Sequence, residues 1–430
     1  MLRFAPSPTG DMHIGNLRVA IFNYIVAKQR NERFLIRIED TDTERNIEGK
    51  DREILEILQI FDLKYDDVVY QSQNFSFHQN FAKKLLDEHK AFACFCTPEE
   101  LEAEREKAKK EKRAYRYSGK CEEITLQEAE KRGKPFVVRI KKPKSPITFT
   151  DIVKGELSFD PNEVDSFVIL RADGRPTYNF ACAIDDMLYD ISLIIRGEDH
   201  VSNTPKQIHI RQQLGYDKEI QYAHLPIILN AQGKKMSKRE SASSVKWLLE
   251  EGFLPEAIAN YLILLGNKTP KEIFTLDEAI QWFDLSSISK APAKFDLDKL
   301  RFINRAHLER LSPQELAKRL GIHESLGELA KLYLEEASTL KELKAKLDAI
   351  FGQRDFGQFE EEAKILKEQI LSMELPEDFE SFKKELMQKS GLKGKRFFKP
   401  LRLLLTGAPH GPEISQLYPL LKDHIKGIVQ

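Results

Sequence analysis

The N-terminal segment constrains the fold more than any other part of this 430-residue chain. Leu2 to Ala5 is a short, mostly apolar run, which is typical of a buried strand. Pro6 and Pro8 end the pairing of that strand, and Gly10 permits a tight turn. Leu17 to Tyr24 then predicts a helix. A strand, a tight turn and a helix in this order predict the start of an α/β fold, with a helix N-terminus that can hold a phosphate group.

A second segment, far along the chain, concentrates positive charge. Residues 234–239 contain four cations among six residues, around Ser237 and directly after Gly233. A basic loop of this kind can hold a pyrophosphate group as negative charge develops on it, which raises the reaction rate as well as the affinity. Taken singly, the first segment is also compatible with a turn that binds no ligand, and the second with a solvated basic turn.

In this order along the chain, the two segments resemble the two nucleotide-binding signatures of class I aminoacyl-tRNA synthetases. The run Arg-Phe-Ala-Pro-Ser-Pro-Thr-Gly from Arg3 to Gly10 resembles the form found in bacterial glutamyl-tRNA synthetases, and the resemblance spans essentially the whole chain. It implies ATP-dependent ligation of L-glutamate to tRNA through a glutamyl-adenylate, with transfer to the terminal adenosine ribose of tRNA(Glu). The alternative is a paralogue or non-discriminating enzyme that glutamylates tRNA(Gln) as an intermediate for Gln-tRNA formation.

The resemblance implies a nucleotide site that is shared between the two signatures. Its ATP-contacting residues are His13, Gly15, Lys235 and Lys238, and Arg239 completes the catalytic set. Asn16 stands where other class I branches have a histidine, so we expect a weaker role for it. The rate then comes from alignment of the glutamate carboxylate with the α-phosphate and from stabilisation of charge, with Mg²⁺ on the phosphates.

Glutamate carries two carboxylates and an ammonium group, and a carboxylate is best held by the planar fork of an arginine. The resemblance implies that Arg3 and Arg196 hold the side-chain carboxylate and that Glu39 suits the ammonium group. The remaining pocket residues that it implies are Ala5, Ser7 and Tyr178. Cys182 stands where one family pattern has an asparagine, and we expect it to be a small core residue. A capping or metal-binding acidic turn is the alternative for residues 39–42.

Three of the four cysteines lie within 28 residues of one another. Cys94 and Cys96 can bind one zinc ion together, but with Cys121 they still leave a tetrahedral site one ligand short. Some bacterial relatives complete such a site with a tyrosine four residues before the last cysteine or with a ligand two residues after it, which correspond here to Tyr117 and Glu123. The resemblance implies one structural Zn²⁺ held by Cys94, Cys96, Tyr117 and Cys121. A set of reduced, buried thiols is the alternative.

The pattern of elements predicts an α/β fold. Residues 33–39 predict a second strand and residues 48–61 a second helix, so strands alternate with helices as in a parallel sheet. We therefore expect a Rossmann-like parallel-sheet catalytic domain, split by an α+β insertion and followed by an all-α C-terminal anticodon-binding region. The predicted domains are 1–71 with 183–240 (catalytic), 72–182 (insertion that binds the acceptor stem), 241–305 (helical stem-contact domain) and 306–430 (helical anticodon-binding domain). Residues 177–183 also predict a strand.

A basic segment near the C-terminus predicts contacts with RNA. Residues 389–402 contain six cations, no acidic residue and two adjacent aromatic side chains, which are the groups that splayed anticodon bases need. The resemblance implies that Arg402 contacts an anticodon base, and we expect Lys395 to contact a phosphate. A solvated basic loop is the alternative. Gly411 stands where some relatives have a larger, base-contacting residue, which leaves the choice of tRNA open.

Composition limits the other functional classes. With 41% hydrophobic and 31% charged residues and a net charge of −1, the chain predicts a soluble protein without a global attraction to nucleic acid. The absence of a leader and of a long apolar span predicts a cytoplasmic protein without membrane contact, and we expect a monomer. The helical residues from about 300 to 430 argue against a truncated relative that glutamylates a base within tRNA. The first signature argues against a glutaminyl enzyme, and the retained signatures argue against an RNA-binding regulator.

Overall fold

The computed structural model describes residues 1–236 and 240–430. These residues form two compact units. The first unit comprises residues 1–245 and 262–295, and the second unit comprises residues 246–261 and 296–430. Nowhere in the described part of the chain does a helix combine the length and the apolar character that a membrane span requires.

All strands of the described residues belong to the first unit, whereas helices occur in both units. The strands are β1 (Leu2–Phe4), β2 (Phe34–Ile38), β3 (Asp67–Tyr70), β4 (Ala91–Cys94), β5 (Val137–Ile140), β6 (Ile147–Asp151), β7 (Gly155–Phe159), β8 (Val168–Leu170), β9 (Leu193–Gly197), β10 (Gln221–Leu225), β11 (Ile228–Leu229) and β12 (Ala293–Lys294). The helices are α1 (Ile14–Arg30), α2 (Lys50–Ile60), α3 (Phe75–Asp87), α4 (Pro98–Lys110), α5 (Leu126–Arg132), α6 (Pro161–Val164), α7 (Tyr178–Leu188), α8 (Thr204–Gln213), α9 (Val245–Glu250), α10 (Pro255–Leu264), α11 (Leu276–Trp282), α12 (Leu297–Arg310), α13 (Pro313–Leu320), α14 (Gly327–Leu332), α15 (Leu340–Phe351), α16 (Glu360–Ser372), α17 (Phe379–Ser390), α18 (Lys395–Thr406), α19 (Ile414–Leu421) and α20 (Ile425–Val429).

The main sheet of the first unit has seven strands within the described residues, in the order β3-β2-β1-β9-β10-β6-β7. Neighbouring strands are parallel except for β6 and β7, which are antiparallel. Every residue of β2 is buried, as is typical of a parallel strand that is covered on both faces. The predicted α/β class, with a helical C-terminal region, is therefore confirmed.

The main sheet corrects the predicted boundaries of the insertion. Residues 147–159 lie inside the range 72–182, but they form β6 and β7, and β6 pairs with β10 of the main sheet. The same range also forms a separate sheet, in which β4, β5 and β8 pair antiparallel. Residues 72–182 are therefore not one separate insertion, because part of them completes the edge of the main sheet.

The strand that we predicted for residues 177–183 is wrong, because the structure has a helix there. Thr177 is extended and precedes the first turn of α7, which continues to Leu188. Phe180, Ala183 and Ile184 are buried in one hydrophobic cluster. Their spacing of three and four residues matches one face of a helix, so burial of this face outweighs the strand preference of the aromatic and β-branched residues.

The first unit also includes residues that we predicted in the helical stem-contact domain. Residues 262–295 return to the first unit, where β12 pairs with β11. Phe283 packs on Phe22 of α1, with 4.8 Å between the ring centroids. A boundary at residue 241 therefore does not describe where the chain leaves this unit. The second unit is formed by α12 to α20 together with residues 246–261.

Candidate active site

A cavity of about 520 Å³ lies where β1, β2, β9 and β10 end. This edge of a parallel sheet is where α/β proteins bind their ligands. All predicted nucleotide and glutamate residues that the structure describes line this cavity, namely Arg3, Ala5, Ser7, His13, Gly15, Glu39, Tyr178, Arg196 and Lys235. Lys238 and Arg239 lie outside the described residues. The structure thus brings the described residues together, and their individual roles stay predictions.

The N-terminus of α1 forms one end of the cavity. His13 caps this helix, and the backbone N–H of Gly15 donates a hydrogen bond of 3.0 Å to Nδ1 of His13. A Cβ atom at Gly15 would lie 2.8 Å from the ring of His13, so glycine allows the ring to close over the turn. Ile14, Gly15 and Asn16 line the cavity. Because the first N–H groups of a helix carry partial positive charge, this end suits a phosphate group.

Lys235 is one of the two described cations of the second signature, and it faces an acidic partner. Its Nζ lies 3.1 Å from Oδ2 of Asp199, which also lines the cavity. Burial raises the pKa of Asp199, but His200 and Lys235 outweigh it, so the net pKa is lowered and the carboxylate is ionised. Lys235 is therefore an exposed cation that is paired with one carboxylate of the cavity wall.

Arg3 is held from behind by a buried carboxylate. Its Nε donates a hydrogen bond of 3.1 Å to Oδ1 of Asp186, and Nη1 of Arg37 donates to the same oxygen at 2.7 Å. Burial alone would raise the pKa of Asp186. The positive charges of Arg3 and Arg37 lower the pKa by more, so the net pKa falls well below its usual range. Within residues 1–236 and 240–430, no protein group bonds to the Nη atoms of Arg3, which leaves its fork for a carboxylate in the cavity.

Arg196 is held by neutral groups. Its Nε donates to Nε2 of His224 at 3.1 Å, its Nη1 to Oε1 of Gln207 at 3.0 Å, and its Nη2 to Oγ1 of Thr204 at 2.7 Å. His224 lies directly opposite Arg196 on the neighbouring strand. Nδ1 of His224 lies 2.6 Å from Oδ2 of Asp151, at the end of β6. A buried carboxylate therefore stands behind Arg196 as well, but one residue further away.

Glu39 follows β2 and is supported from behind by two donors. Its Oε1 accepts a hydrogen bond of 3.1 Å from Nη2 of Arg37 and one of 3.1 Å from the thiol of Cys182. Burial and the nearby Glu39 raise the pKa of Cys182 well above its usual value, so Cys182 remains a thiol that donates its proton. Cys182 is buried, as we expected, and its thiol also bonds to a carboxylate of the cavity wall.

Tyr178 contributes a hydroxyl group to the same cavity. The hydroxyl lies 3.1 Å from Nδ1 of His200. Burial raises the pKa of Tyr178 well above its usual value, and burial together with Arg196 lowers the pKa of His200. Both groups are therefore neutral near neutral pH, so the cavity gains a polar contact without a further charge.

The residues that hold the two arginines were missed from the sequence. They are Arg37, Asp151, Asp186, Thr204, Gln207 and His224, and all of them are buried. A signal existed for Arg37, because a lone arginine in the apolar run Phe-Leu-Ile-Arg-Ile is rarely buried without a partner. Asp186 gave a similar signal inside the apolar α7. The identity of their partners was not readable, because it depends on the pairing of distant strands.

The cysteine cluster lies beside the separate sheet of the first unit. The sulfur atoms of Cys94, Cys96 and Cys121 lie within 4.8 Å of one another, with 3.7 Å between Cys96 and Cys121. The hydroxyl of Tyr117 lies 3.5 Å from Cys94 and 3.5 Å from Cys96. With Zn–S bonds of about 2.3 Å and a Zn–O bond of about 2.0 Å, tetrahedral edges are about 3.8 Å between sulfurs and about 3.5 Å between sulfur and oxygen. These residues fit a zinc ion, whereas Glu123 is outside the cluster formed by the described residues.

The basic segment of the second unit is mostly helical rather than a loop. Lys395 is the first residue of α18, and Arg402 lies near its middle, where its Nη1 donates to the carbonyl of Pro412 at 2.9 Å. Phe397 is buried in the core, but Phe398 is 43% exposed, so only one of the two aromatic rings is open for stacking. Gly411 lies beside Arg402, since a Cβ there would be 3.5 Å from Nη1 of that residue.

Comparison with known protein families agrees with this geometry. A family model described as "tRNA synthetases class I (E and Q), catalytic domain" matches residues 1–302. A model described as "Anticodon binding domain" matches residues 302–423. The chain therefore belongs to the class I tRNA synthetases of the E and Q group, and the predicted resemblance is confirmed.

Individual relatives match over the full length of the chain. The chain is 78% identical over 431 residues to glutamate–tRNA ligase 1 of a Nitratiruptor species, covering 100% of both chains. It is 62% identical over 425 residues to glutamate–tRNA ligase 1 of Campylobacter jejuni subsp. jejuni serotype O:23/36 (strain 81-176), covering 99% of each. Among solved structures, a glutamate tRNA ligase from Elizabethkingia meningosepticum CCUG26117 in complex with its amino acid is 28% identical, with a TM-score of 0.85, and the match covers 99% of this chain and 97% of that one.

Proposed function

We propose that this protein is an ATP-dependent glutamate–tRNA ligase, which forms a glutamyl-adenylate and transfers the glutamyl group to the terminal adenosine of tRNA(Glu). The observation that carries the proposal is the pair of buried arginines, Arg3 and Arg196, on the neighbouring strands β1 and β9. Both line a cavity that also receives the N-terminus of α1. The relatives named for glutamate ligation support this choice of amino acid.

Arg3 and Arg196 bind the side-chain carboxylate of glutamate, and Glu39 accepts hydrogen bonds from its ammonium group. Ala5, Ser7 and Tyr178 form the rest of the pocket wall. Glutamine has the same shape but a neutral amide, so its binding would leave buried positive charge without a partner. Such an unpaired charge costs several times more than a change in shape, and this is the physical basis of selection against glutamine.

The nucleotide lies at the α1 end of the cavity, where His13 and Gly15 receive its phosphates. An oxygen of the glutamate α-carboxylate attacks the α-phosphorus of ATP, and pyrophosphate leaves with the electrons of the broken P–O bond. Lys235, together with Lys238 and Arg239 of the same signature, stabilises the charge on the leaving group. Mg²⁺ fits the phosphates of ATP with the ionised Asp199 nearby, and when bound it neutralises phosphate charge. A ribose hydroxyl of tRNA then displaces AMP from the anhydride.

The cysteine cluster holds one structural Zn²⁺ through Cys94, Cys96, Tyr117 and Cys121. The fit of their distances to tetrahedral edges supports this proposal. A bound ion joins the end of β4 to the segment around residues 117–121. Metal analysis of purified protein should give one zinc per chain, with loss in Cys94→Ser/Cys96→Ser and weaker binding in Tyr117→Phe. Protein purified without chelator and free of zinc would favour the buried-thiol alternative.

The tRNA is bound along the chain by the segments that we predicted for it. The part of residues 72–182 that lies outside the main sheet contacts the acceptor stem, residues within the predicted range 241–305 contact the stem, and residues 306–430 bind the anticodon. Arg402 contacts an anticodon base and Lys395 contacts a phosphate; the basic first turns of α18 support both roles. We also propose that the enzyme is a cytoplasmic monomer, which light scattering with and without tRNA would test.

Charging assays with purified tRNA(Glu) and tRNA(Gln) test the proposed function. We expect glutamate to be attached to tRNA(Glu) with release of AMP and pyrophosphate, and glutamine not to be attached. The names of the relatives do not favour the alternative in which tRNA(Gln) is the acceptor. Charging of tRNA(Gln), alone or together with tRNA(Glu), would establish that alternative, and the absence of charging on either tRNA would contradict the proposal.

A further inference from the structure

A buried chain of three groups runs through neighbouring strands to the cavity. Oδ2 of Asp151 lies 2.6 Å from Nδ1 of His224, and Nε2 of His224 accepts a hydrogen bond of 3.1 Å from Nε of Arg196. All three side chains are buried. Among the described residues that line the cavity, Arg196 is present, but Asp151 and His224 are not. Nε2 of His224 also lies 3.0 Å from Oγ1 of Thr204, which itself accepts from Arg196 and does not line the cavity. Asp151 and His224 therefore act on a ligand through Arg196, directly and by way of Thr204.

Asp151 fixes the position of the proton on His224. Oδ1 of Asp151 accepts from the backbone N–H groups of Val153 at 2.9 Å and Lys154 at 2.8 Å, and Oδ2 accepts from the backbone N–H of His224 at 3.0 Å. Burial raises the pKa of Asp151, but His224 and these N–H groups outweigh it, so the net pKa is lowered. An ionised Asp151 only accepts, so Nδ1 of His224 carries the proton and Nε2 is the acceptor for Arg196.

We propose that His224, oriented by Asp151, is a positioning residue that sets how Arg196 receives the side-chain carboxylate of glutamate. The inference rests on the proposed function, in which Arg196 binds that carboxylate. A neutral imidazole fixes the plane of the guanidinium without cancelling its charge. A carboxylate in direct contact with Arg196 would fix it equally well but would compete with the substrate for the same charge.

The same arrangement makes glutamate binding dependent on pH. The charged or titratable groups that face His224 are Asp151 from β6, Arg196 from β9, Arg3 from β1, His200 after β9 and Tyr222 from its own strand. Burial lowers the pKa of His224, Asp151 raises it, and Arg196 and Arg3 lower it again, so the net pKa is below its ordinary value. When Nε2 of His224 is protonated, its N–H faces the Nε–H of Arg196. Two donors cannot form a hydrogen bond, so the bond to Arg196 is lost.

Two substitutions separate the acceptor of His224 from its donor. In His224→Gln, the amide oxygen replaces Nε2 as the acceptor for Arg196 and does not titrate. In His224→Asn, the shorter amide donates to Asp151 but does not reach Arg196. Asp151→Asn adds a third test, because its amide group would donate to Nδ1, move the histidine proton to Nε2 and so turn it against Arg196.

The experiment measures kcat and the KM for glutamate in tRNA charging with the full chain, at saturating ATP and tRNA. We expect His224→Asn and Asp151→Asn to raise the KM for glutamate about tenfold, with the KM for ATP unchanged. We expect His224→Gln to stay within about threefold of the unmodified protein at about pH 8 and to lose its rise in KM below about pH 6.5. His209→Asn is the matched control, since His209 is also buried but bonds to the carbonyl of Lys141.

The outcomes distinguish the inference from the proposed function. If Arg196→Ala leaves the KM for glutamate unchanged, the proposed role of Arg196 is wrong and the inference falls with it. If Arg196→Ala raises that KM but His224→Asn does not, the inference alone is overturned. It is also overturned if the rise at acidic pH persists in His224→Gln or disappears instead in His200→Asn. Should Asp151→Asn fail to fold, the pH profile of His224→Gln decides the question.

Discussion

The two arginines of the cavity are held in different ways. Arg3 contacts its buried counter-ion directly, because Asp186 accepts from Arg3 at 3.1 Å and from Arg37 at 2.7 Å. Arg196 contacts only neutral acceptors in the described part of the protein, and the buried carboxylate of Asp151 stands behind His224. Direct contact gives a firm hold but reduces the positive field in the cavity, whereas an intervening imidazole preserves that field. Arg3 is therefore held by one charged contact, whereas Arg196 is held by three neutral contacts and is the more strongly attracting of the two.

The largest expected effect comes from removal of either arginine. Arg3→Ala and Arg196→Ala should each reduce kcat/KM for glutamate by the equivalent of about 3–5 kcal/mol, because one partner of a buried charged contact is lost. We expect the larger loss for Arg196→Ala, since its charge is less neutralised. Lysine variants should recover little, because an ammonium group does not supply the planar fork. Steady-state charging kinetics measure these changes.

Lys64→Ala is the control for this comparison, since Lys64 is exposed, forms an ion pair with the exposed Asp62 and lies outside the segments proposed to bind tRNA. It should behave like the unmodified protein. Equal losses for the two cavity arginines would break the distinction between the direct and the indirect hold. A loss confined to one of them would mean that the other does not bind the substrate carboxylate.

The sequence predicted the cavity wall but not the groups behind it. His13, Gly15 and Arg3 belong to one local signature, whose strand, turn and helix form within a short stretch of chain. The partners of the arginines are instead distant, since Arg3 and Asp186 are 183 residues apart and Asp151 and His224 are 73 residues apart. Which residues meet across a sheet depends on strand order and register, and a shift of one residue would turn each side chain to the other face.

The same reasoning explains the errors in the fold. Residues 177–183 have the composition of a strand, and only their burial against α3, α8 and the separate sheet makes α7 the more stable choice. Residues 147–159 were predicted as part of the insertion because their partner, β10, lies much later in the chain. The cysteine cluster was more predictable, because its spacing alone limits which sulfurs can meet.

The second prediction compares the two carboxylates by their effect on stability. Asp186→Asn should lower the free energy of unfolding by about 3–5 kcal/mol, because it removes the counter-ion of the buried Arg3 and one of the two carboxylates that contact the buried Arg37. Asp151→Asn should cost about 1–3 kcal/mol, because Asp151 is held mainly by backbone N–H groups and a neutral imidazole. Urea unfolding measures both values.

Asp190→Asn serves as the reference for this pair, because Asp190 forms an exposed ion pair with Lys218 and should change the free energy of unfolding by less than about 0.5 kcal/mol. If Asp151→Asn proves as costly as Asp186→Asn, then the histidine does not separate Asp151 from the charge of Arg196, and the comparison loses its basis.

The third prediction concerns Cys182, which extends the Arg3 side of the cavity through Arg37 and Glu39. Cys182→Ala removes one of the donors to Glu39. The KM for glutamate should rise by a factor equivalent to about 1 kcal/mol of binding free energy. Cys182→Ser retains a donor of similar size, so its KM should remain close to that of the unmodified protein. A rise in KM that is the same for alanine and serine would assign the effect to packing rather than to the hydrogen bond.

The smallest effect is a difference in acid sensitivity between the two sides. The pKa of His224 is lowered in the folded protein, so the unfolded chain takes up a proton first as the pH falls through about 6.5, and stability is lost below that value. The pKa of Asp186 is also lowered, but the stability that it contributes is complete above about pH 3.9 and is lost only in stronger acid.

Between about pH 7 and pH 5, the contacts that hold Arg196 should therefore weaken, whereas the contacts that hold Arg3 should not. Urea unfolding at these two pH values should show a smaller loss in His224→Gln than in the unmodified protein, since glutamine does not titrate. Equal losses in the two proteins would show that other histidines, such as His209, account for the acid sensitivity, and that the two arginines are held equally well in acid.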